Sequence, residues 1–295
     1  MAKHYQGSPA TVSTDQYSIA EIWSEGISKF FNRASVFRSL VTDVSSMVKS
    51  GADTVNFPEI GIISATAKSA GSDITYDATA NTTTQLSLNK HYYTAKLFED
   101  VLMLQSSFDV ASHYQKMFGE ALARQVDSDI WGELDGMNQT QALSADDTLT
   151  AAVFEATLAT LGEQDVPYMD GECYMVVNPT LMADILNPSA GLGQYWMRAD
   201  AAGGSGTMAT GAVGKLYGIN VFMSNTVSTA GSSSTVPGAI FHKSACVVAV
   251  QQDVTFRMEE SIDALGVKTA ASTIYGVKLI DDSDNIKGVR FLNVD

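Results

Sequence analysis

The longest periodic pattern of hydrophobic positions in the chain runs from residue 110 to residue 134. Apolar side chains recur there at intervals of three and four, the spacing that places them on one face of an α-helix. They are Val110, Tyr114, Met117, Phe118, Ala121, Leu122, Val126, Ile130, Trp131 and Leu134. Ser107 is a suitable N-cap, and Asp109 would complement the helix dipole in the first turn. The pattern predicts a spine helix about 40 Å long.

Acidic residues occupy the other side of this predicted helix. They are Glu120, Asp127, Asp129, Glu133 and Asp135. Paired carboxylates can serve acid–base catalysis or hold a metal ion, but no histidine accompanies these residues at ligand spacing. The pattern therefore predicts a solvated helix face.

The chain begins with a polar segment, residues 1–18, which has no periodicity and is predicted to form a flexible arm. A short amphipathic helix is predicted next, because apolar residues again follow intervals of three and four. These residues are Ile19, Ile22, Trp23, Ile27, Phe30 and Phe31. Their apolar face is able to pack on the chain's own core or on a neighbouring subunit.

Residues 54–96 show the pattern of two strands joined by a long polar excursion. Pro58 interrupts the first strand, and the second, from Leu86 to Thr94, has polar residues at alternate positions, as a half-buried strand does. The excursion has too few apolar residues for the hairpin to be stable as a separate domain. It is either a disordered loop or a strand pair that becomes ordered against another copy, and the long β pattern favours the second. The tip, residues 69–84, is expected to be mobile in a free subunit.

From about residue 145 the pattern changes to alternating helices and strands. One helix is predicted to end at Gly162, where glycine is a common C-cap signal, and an apolar strand follows at 173–177. Asn178 and Pro179 supply the N-cap and the first position of the next helix. A long glycine-rich loop is predicted over 191–206.

The remainder of the chain is predicted to be mainly β-structure. The predicted strands cover 219–223, 239–242, 246–250, 254–258, 273–280 and 286–292, with a turn at 281–285 between the last two. No internal repeat of fixed period is present.

The composition is low in charge, and assembly into a large complex is one way to cover such a surface. Hydrophobic residues make up 45% of the chain and charged residues only 17%, below the usual quarter of a soluble domain. An enzyme with a polar, uncharged surface would have the same composition. The net charge of −15 and the 18 scattered Lys and Arg residues make a nucleic-acid groove improbable, because phosphate contacts need clustered cations.

The two cysteines indicate neither a disulfide framework nor a metal motif. Cys173 and Cys246 each stand in an apolar run without a CxxC partner, so we expect free thiols buried in strands. The N-terminal sequence lacks the apolar stretch of a signal peptide, and no run is long enough to span a membrane. The protein is therefore expected to be made in the cytosol and to stay there until it assembles.

A search for catalytic and binding motifs finds none. Gly214 and Lys215 are not followed by the Ser or Thr of a phosphate-binding loop, and the glycines at 203–206 fit neither a dinucleotide motif nor a hydrolase elbow. Asp282 and Asp284 begin like a calcium loop, but the third ligand position is apolar. The four histidines share no metal-ligand spacing: His4, His91, His113 and His242. We expect no catalytic, cofactor-binding or metal site, and no enzyme activity.

The order of these elements resembles the fold of tailed-bacteriophage major capsid proteins, which encapsulin nanocompartments share. An N-terminal arm, a long β-hairpin of low charge, a spine helix, an α/β region and closing strands follow one another along nearly the whole chain. Local segments are also similar to the family. These are Phe57-Pro58, Met175 to Pro179, Gly218 to Asn225, and Gly238 to Ala245.

The resemblance implies an α+β fold in five parts. Residues 1–53 would be the N-terminal arm and 54–96 the extended loop, a β-hairpin lying over an adjacent subunit. Residues 97–144 would carry the spine helix of the peripheral domain, and 145–250 would form the axial α/β domain with its glycine-rich loop near the capsomer axis. Residues 251–295 would be closing strands of the peripheral domain.

The resemblance also implies a function and partners. The chain would be a structural subunit that self-assembles into pentamers and hexamers of an icosahedral head, enclosing a double-stranded DNA genome without binding it specifically. It would be made in the host bacterial cytoplasm and end in the virion capsid, with no cofactor and no membrane. Its partners would be a separate scaffolding protein and a portal protein. Some members of the family also bind a decoration protein, which would be a further partner here. Many relatives begin with a long helical scaffolding segment, which the short stretch before the hairpin does not match.

Some relatives covalently link a loop lysine to a neighbour's asparagine beside a carboxylate. The candidate residues here are Lys68 and Lys90 for the amine, Asn285 and Asn293 for the acceptor, and Glu259 and Glu260 for the carboxylate. The reaction needs a deprotonated amine and a desolvated carboxylate. Lys68 stands among Ala, Ser and Gly, which offer little apolar cover, so we expect a shell held by non-covalent contacts.

Three other functions were considered: another kind of shell, an enzyme, and a β-rich adhesion or tail-tube protein. An encapsulin-like compartment would have the same fold and would enclose an enzyme, and a neighbouring packaging-motor gene would favour the phage. A hydrolase would need a nucleophile–base constellation that the sequence does not show. A β-rich adhesion or tail-tube protein fits poorly with a long spine helix.

Overall fold

The structure is a computed structural model, which describes residues 36–48, 53–60, 65–71, 73–74, 76, 81–100, 110–187, 192, 196–198, 212–228, 236–263, 265–280 and 286–294. Its helices are α1 (Val110–Leu134), α2 (Ala151–Glu163) and α3 (Pro179–Leu186). Its strands are β1 (Thr42–Asp43), β2 (Thr54–Ile60), β3 (Asn81–Ser87), β4 (Lys90–Glu99), β5 (Thr140–Ala142), β6 (Cys173–Val177), β7 (Trp196–Arg198), β8 (Ala212–Leu216), β9 (Ile219–Met223), β10 (Gly238–His242), β11 (Cys246–Ser261), β12 (Gly266–Leu279) and β13 (Gly288–Leu292).

Helix α1 forms where the hydrophobic period predicts a spine. Ile130, Trp131 and Leu134 on its apolar face are almost fully buried, and the helix packs on β11 and β12. The aromatic ring of Phe37 packs on Trp131 with 5.7 Å between the ring centroids. The predicted N-cap at residues 107–109 and the predicted helix at 19–31 lie outside the described residues.

The segment 36–48 lies against this core, within the stretch where the sequence predicted an arm. Phe37, Leu40 and Val41 are at most 2% exposed, and β1 adds to β11 as a parallel neighbour. The apolar residues of this segment recur at helical intervals of three and four: Val36, Phe37, Leu40, Val41, Val44, Met47 and Val48. The chain nevertheless forms two short 3-10 turns and β1 here, because the segment packs and pairs against the core.

The first sheet has the strand order β1-β11-β12-β4. β11 and β12 form a long antiparallel hairpin, and β4 pairs with the outer edge of β12. The sequence predicted two strands, 246–250 and 254–258, where the structure has the single strand β11. Register shifts on either side of Gln252 absorb the extra residues, so that pairing continues through a polar stretch that the hydrophobic pattern could not bridge.

A separate two-stranded sheet, β2 with β3, forms the predicted hairpin. Seven residue pairs join the two strands antiparallel. Pro58 lies on β2, which pairs on one side only in the described part of the chain, and an edge strand tolerates the missing N–H of proline. The predicted second strand, 86–94, is divided in the structure: Leu88 and Asn89 interrupt it, and β4 beyond them leaves the hairpin for the first sheet.

The larger sheet has the order β5-β13-β10-β6-β9-β8-β7 and contains both parallel and antiparallel pairs. Asn178 caps α3 as predicted, because its Oδ1 accepts a hydrogen bond from Leu181 N–H at 2.7 Å, and Pro179 follows at the first helical position. Helix α2 ends at Glu163, one residue beyond the predicted end at Gly162.

One predicted loop and one segment without a predicted element contain strands in the structure. Trp196–Arg198, placed by the sequence in a glycine-rich loop, form β7 at the edge of the larger sheet, while much of that loop lies outside the described residues. Gly214 and Lys215, considered for a phosphate-binding loop, lie within β8. β7 has three residues and β8 five, too few for a hydrophobic period to be recognised, which is why the pattern missed them.

Strands β6 and β10 separate two hydrophobic cores. Val176 and Phe241 point into a core that also contains the apolar face of α1, whereas Met175 and Ile240 point into a second core with α2 and α3. Because alternate residues of a strand face opposite sides, one pair of strands contributes to both cores. The predicted strand 173–177 is confirmed, and its continuous apolar sequence reflects burial on both faces.

Candidate functional site

Carboxylates in the C-terminal half of α1 and directly after it contact segments from distant parts of the chain. We call Asp127, Asp129, Glu133 and Asp135 the carboxylate row. Asp127 is 2% exposed, and its Oδ2 accepts a hydrogen bond from Val36 N–H at 2.7 Å. Glu133 Oε2 accepts one from Leu279 N–H at 3.3 Å. The first contact fixes the point where the N-terminal part enters the core, and the second fixes the end of β12.

Asp129 is the centre of a small polar network. Its Oδ2 accepts a hydrogen bond from the hydroxyl of Tyr275 at 2.6 Å, and its Oδ1 lies 3.7 Å from Lys90 Nζ and 3.2 Å from Gln125 Nε2. Burial and then the hydrogen bond to Asp129 raise the pKa of the Tyr275 hydroxyl, which therefore stays protonated as the donor. This network joins α1 to β4 and β12.

The prediction that the acidic residues of α1 form a solvated face was wrong for the carboxylate row. Asp135 is also buried, and Arg290 on β13 lies 3.7 Å from its Oδ1 and donates to its main-chain oxygen. The spacing of charges along a helix cannot show that backbone amides and cations from remote segments will cover the acidic face. Asp127, Asp129 and Glu133 accept hydrogen bonds from remote segments, and Asp135 faces the Arg290 guanidinium, so the row holds these segments together. Carboxylates shielded from water need such partners.

The hairpin β2–β3 is anchored at one end and exposed at the other. At its base, Leu86 is fully buried in a small cluster with Val44, Val247 and Ala249. Gly276 of β12 permits this close approach, because a Cβ there would lie 2.5 Å from the main-chain oxygen of Ser87.

The distal part of the hairpin has no such cover in the described part of the chain. Residues 65–71 are exposed coil, and the side chains of Ile74 and Tyr76 are 63% and 93% exposed. Exposed aromatic and aliphatic side chains on a projecting loop are a typical means of contact with another protein.

A second cluster lies where β6 begins and β10 ends. His242 Nε2 lies 3.1 Å from Asp170 Oδ2 and 3.9 Å from Glu172 Oε2. Within the described residues these three side chains are the one group of His, Cys and acidic residues close enough to share a metal ion. The hydrogen bond from Glu172 N–H is the largest cause that lowers the pKa of Asp170; desolvation opposes it, and the hydrogen bond with His242 lowers the pKa further.

Sequence reasoning missed this cluster because Asp170 and His242 are 72 positions apart. The pairing of β6 with β10 brings them together, with His242 opposite Cys173. No spacing rule along the chain could have found the group; only the strand register reveals it.

The same histidine also contacts a serine. His242 Nδ1 lies 2.8 Å from Ser244 Oγ, and it accepts a hydrogen bond from Ser244 N–H at 3.2 Å. Serine, histidine and aspartate thus occur together, but the backbone amide already uses the nitrogen that would have to take the serine proton. The three residue types of a catalytic triad are therefore present, but the histidine nitrogen that faces the serine is not free to take the proton of the serine hydroxyl.

The remaining sequence-predicted residues are dispersed. Cys173 and Cys246 are buried free thiols in strands, as predicted, and burial, followed by the charge of Asp170, raises the pKa of Cys173 to about 12. His91 is exposed on β4. His4, His113, Asp282 and Asp284 lie outside the residues whose side chains are described.

The residues considered for a covalent cross-link lie in different surroundings. Lys68 is exposed, whereas Lys90 is engaged by Asp129. Glu259 and Glu260 are exposed on β11. Asn293 is half-buried after β13, and Asn285 lies outside the described residues. None of the helices in the described ranges has the length and apolar character needed to cross a membrane.

Comparisons with known proteins agree with this architecture. A family model described as phage capsid protein matches residues 97–287. A solved chain of Mycobacterium phage Che8 is 22% identical, with a TM-score of 0.69 over 92% of this chain and 96% of its own. The capsid of the Cyanophage P-SCSP1u is 18% identical, with a TM-score of 0.68 over 93% of both chains.

The capsid of Ralstonia phage GP4 matches at 13% identity with a TM-score of 0.68, over 100% of this chain and 99% of the other. A comparison with curated protein sequences found no match. The solved structures show that the capsid fold, predicted from the order of elements, extends over nearly the whole chain. The family model covers more than half of the sequence, and the chain therefore belongs to the phage capsid protein family.

Proposed function

We propose that the chain is the major subunit of a viral head and that it works by self-assembly without catalysis. The observation that carries this is the hairpin β2–β3, which is fixed to the core at Leu86 and carries exposed Ile74 and Tyr76 at its far end. On a capsid fold, a loop anchored in this way suits a contact with the next copy of the chain.

Closed shells need one chain to fit both five-fold and six-fold surroundings. Heterologous contacts, in which different surfaces of two copies meet, generate rings, and an extended loop that reaches over a neighbour is a contact of this kind. In this proposal the rings are pentamers and hexamers of an icosahedral head. The low fraction of charged residues, 17%, is consistent with a surface that other copies cover.

The charge of the chain supports a container role toward DNA. A net charge of −15 gives little attraction for phosphate, so a packaged double-stranded genome would not adhere to the wall. The proposed partners are further copies of the chain, a separate scaffolding protein and a portal protein, with a decoration protein as an addition. Assembly would occur in the cytoplasm of the host bacterium.

The test is electron microscopy and light scattering of the purified full chain. We expect closed shells or capsomer rings. A matched variant that replaces residues 65–76 by a short Gly-Ser linker should keep the thermal unfolding of the subunit and lose assembly.

Two results would contradict the proposal. The first is a monodisperse species of 31.5 kDa under all assembly conditions. The second is normal shell formation by the linker variant, which would remove the hairpin from the argument. Shells that enclose a folded protein cargo instead of DNA would assign the chain to an enzyme compartment.

A further inference from the structure

We propose that Asp170, Glu172 and His242 form a binding site for a transition-metal dication of the zinc type. The site would lie where the loop after α2 meets the end of β10. The inference rests on the geometry of these side chains and does not depend on assembly, so its test is separate from that of the shell.

The distances between the donor atoms suit a single ion. His242 Nε2 is 3.1 Å from Asp170 Oδ2 and 3.9 Å from Glu172 Oε2, and all three donor atoms lie within 4.8 Å of one another. In a tetrahedral zinc site with metal–ligand bonds of about 2.0–2.1 Å, two ligand atoms are separated by about 3.4 Å. The observed distances lie on both sides of this value, so small side-chain rotations would complete the site.

The type of donor selects the class of ion. Two carboxylates and one imidazole match the preference of zinc and its neighbours for nitrogen and oxygen, whereas magnesium and calcium prefer oxygen alone. Two carboxylates also balance the charge of a dication. Three protein ligands leave a fourth position for water, and Asp170 and Glu172 are partly exposed and open to it.

The backbone holds the ligands at fixed positions before any ion arrives. Asp170 Oδ1 accepts a hydrogen bond from Glu172 N–H at 2.8 Å, which leaves Oδ2 directed at the histidine. Lys243 N–H donates to the main-chain oxygen of Glu172 at 3.0 Å, and His242 stands opposite Cys173 in the β6–β10 pair. A preformed arrangement of this kind lowers the entropy that binding must overcome.

The second nitrogen of the histidine has a partner suited to metal binding. Without metal, Nδ1 accepts from Ser244 N–H, so the neutral ring carries its proton on Nε2 and donates it to Asp170. With metal on Nε2, the proton would move to Nδ1, which would then donate to Ser244 Oγ, 2.8 Å away, in place of accepting from Ser244 N–H. Metal-binding histidines nearly always donate their other N–H in this way, and no net proton is gained or lost.

The experiment titrates Zn²⁺ into the untagged full chain after chelator treatment, by isothermal titration calorimetry. Co²⁺ serves as a second probe, because its visible absorption reports the ligand geometry. The variants are His242→Gln, Asp170→Asn and Ser244→Ala. His91→Gln and Glu155→Gln, on exposed positions elsewhere, are the matched controls.

We expect one saturable Zn²⁺ site per chain, with a tetrahedral Co²⁺ spectrum and a higher melting temperature in the presence of Zn²⁺. His242→Gln and Asp170→Asn should abolish all three effects, and Ser244→Ala should weaken binding about tenfold, as loss of a supporting hydrogen bond does. The two controls should bind like the original chain. If His242→Gln fails to fold, Glu172→Gln with Asp170→Asn provides the same test.

Two outcomes would overturn the inference. The first is no saturable binding of Zn²⁺ or Co²⁺ to the folded chain. The second is binding that the His242 and Asp170 variants retain, which would place the ion elsewhere and leave the cluster as a hydrogen-bonded latch between a loop and a strand.

Discussion

Single residues of the carboxylate row hold segments together that are far apart in sequence. A buried carboxylate without partners costs several kcal/mol, whereas one that accepts backbone N–H groups is tolerated. Asp127 is an example, because the backbone amide that it binds belongs to Val36, 91 positions away.

Replacing Asp127 by Ala should lower the free energy of unfolding by about 1–3 kcal/mol, because the Val36 amide loses its acceptor. Asp127→Asn retains an acceptor oxygen and should cost less. Urea denaturation of the unassembled chain measures both. Glu120→Gln, nearer the start of α1 and outside the row, is the control and should change stability by less than about 0.5 kcal/mol. Equal stability of Asp127→Ala and the original chain would contradict the assigned role.

Because Gly276 has no side chain, the base of the hairpin can lie close to β12. Gly276→Ala would place a methyl group 2.5 Å from the Ser87 main-chain oxygen and 3.2 Å from Leu88, and should destabilise the chain by about 1–3 kcal/mol. Gly132→Ala on α1 is the matched control: it meets nothing within 4 Å and should be neutral or gain up to about 1 kcal/mol from helix propensity. Thermal unfolding of both variants checks this pair, and a neutral Gly276→Ala would show that β12 can move away from the hairpin.

At the scale of elements, the hydrophobic pattern was enough to predict α1, the β2–β3 hairpin and the buried strand β6. Other elements were missed or divided. The apolar residues of 36–48 have helical spacing, but the segment packs around Phe37 through short 3-10 turns and β1, and β11 continues past Gln252 because its bulges keep the pairing with β12. Long-range pairing decides such elements, and the local pattern does not show it.

The hairpin can be tested as an element through one trypsin site. Lys68 is the only Lys or Arg between residues 50 and 89, and it lies in exposed coil. We expect brief digestion of free subunits to give fragments 1–68 and 69–295, and we expect assembled shells to resist, because a neighbouring copy would cover the loop. Lys68→Gln is the control and should remove this cleavage. Equal resistance of free and assembled chains at Lys68 would argue against a covered loop.

At the scale of the whole molecule, some functional features could be predicted from the sequence and others only from the fold. The family-like order of elements was visible in the sequence, and the fold confirmed it. The Asp170–Glu172–His242 cluster was not visible, because its members meet only through the β6–β10 register. The carboxylate row was visible as charges, but its burial depends on β4, β12 and β13, which arrive from elsewhere.

The assembled shell should be held by non-covalent contacts alone. Of the two candidate amines, Lys68 is exposed to solvent and Lys90 lies 3.7 Å from the Asp129 carboxylate, so neither side chain has the desolvated surroundings that the reaction needs. Mature particles in hot detergent should therefore give a single band of one chain on a denaturing gel. A ladder of multiples that disappears in Lys68→Ala would contradict this expectation, and Lys243→Ala serves as the control.

The partners of the carboxylate row also set an order of events during synthesis. Val36 leaves the ribosome long before α1, but Tyr275, Leu279 and Arg290 are synthesised well after it. Domains fold as units during translation, and contacts of large sequence separation form late. The environment of the spine helix is thus completed only after Arg290 has been synthesised, so that a shorter nascent chain lacks the finished surface that a neighbouring copy would recognise.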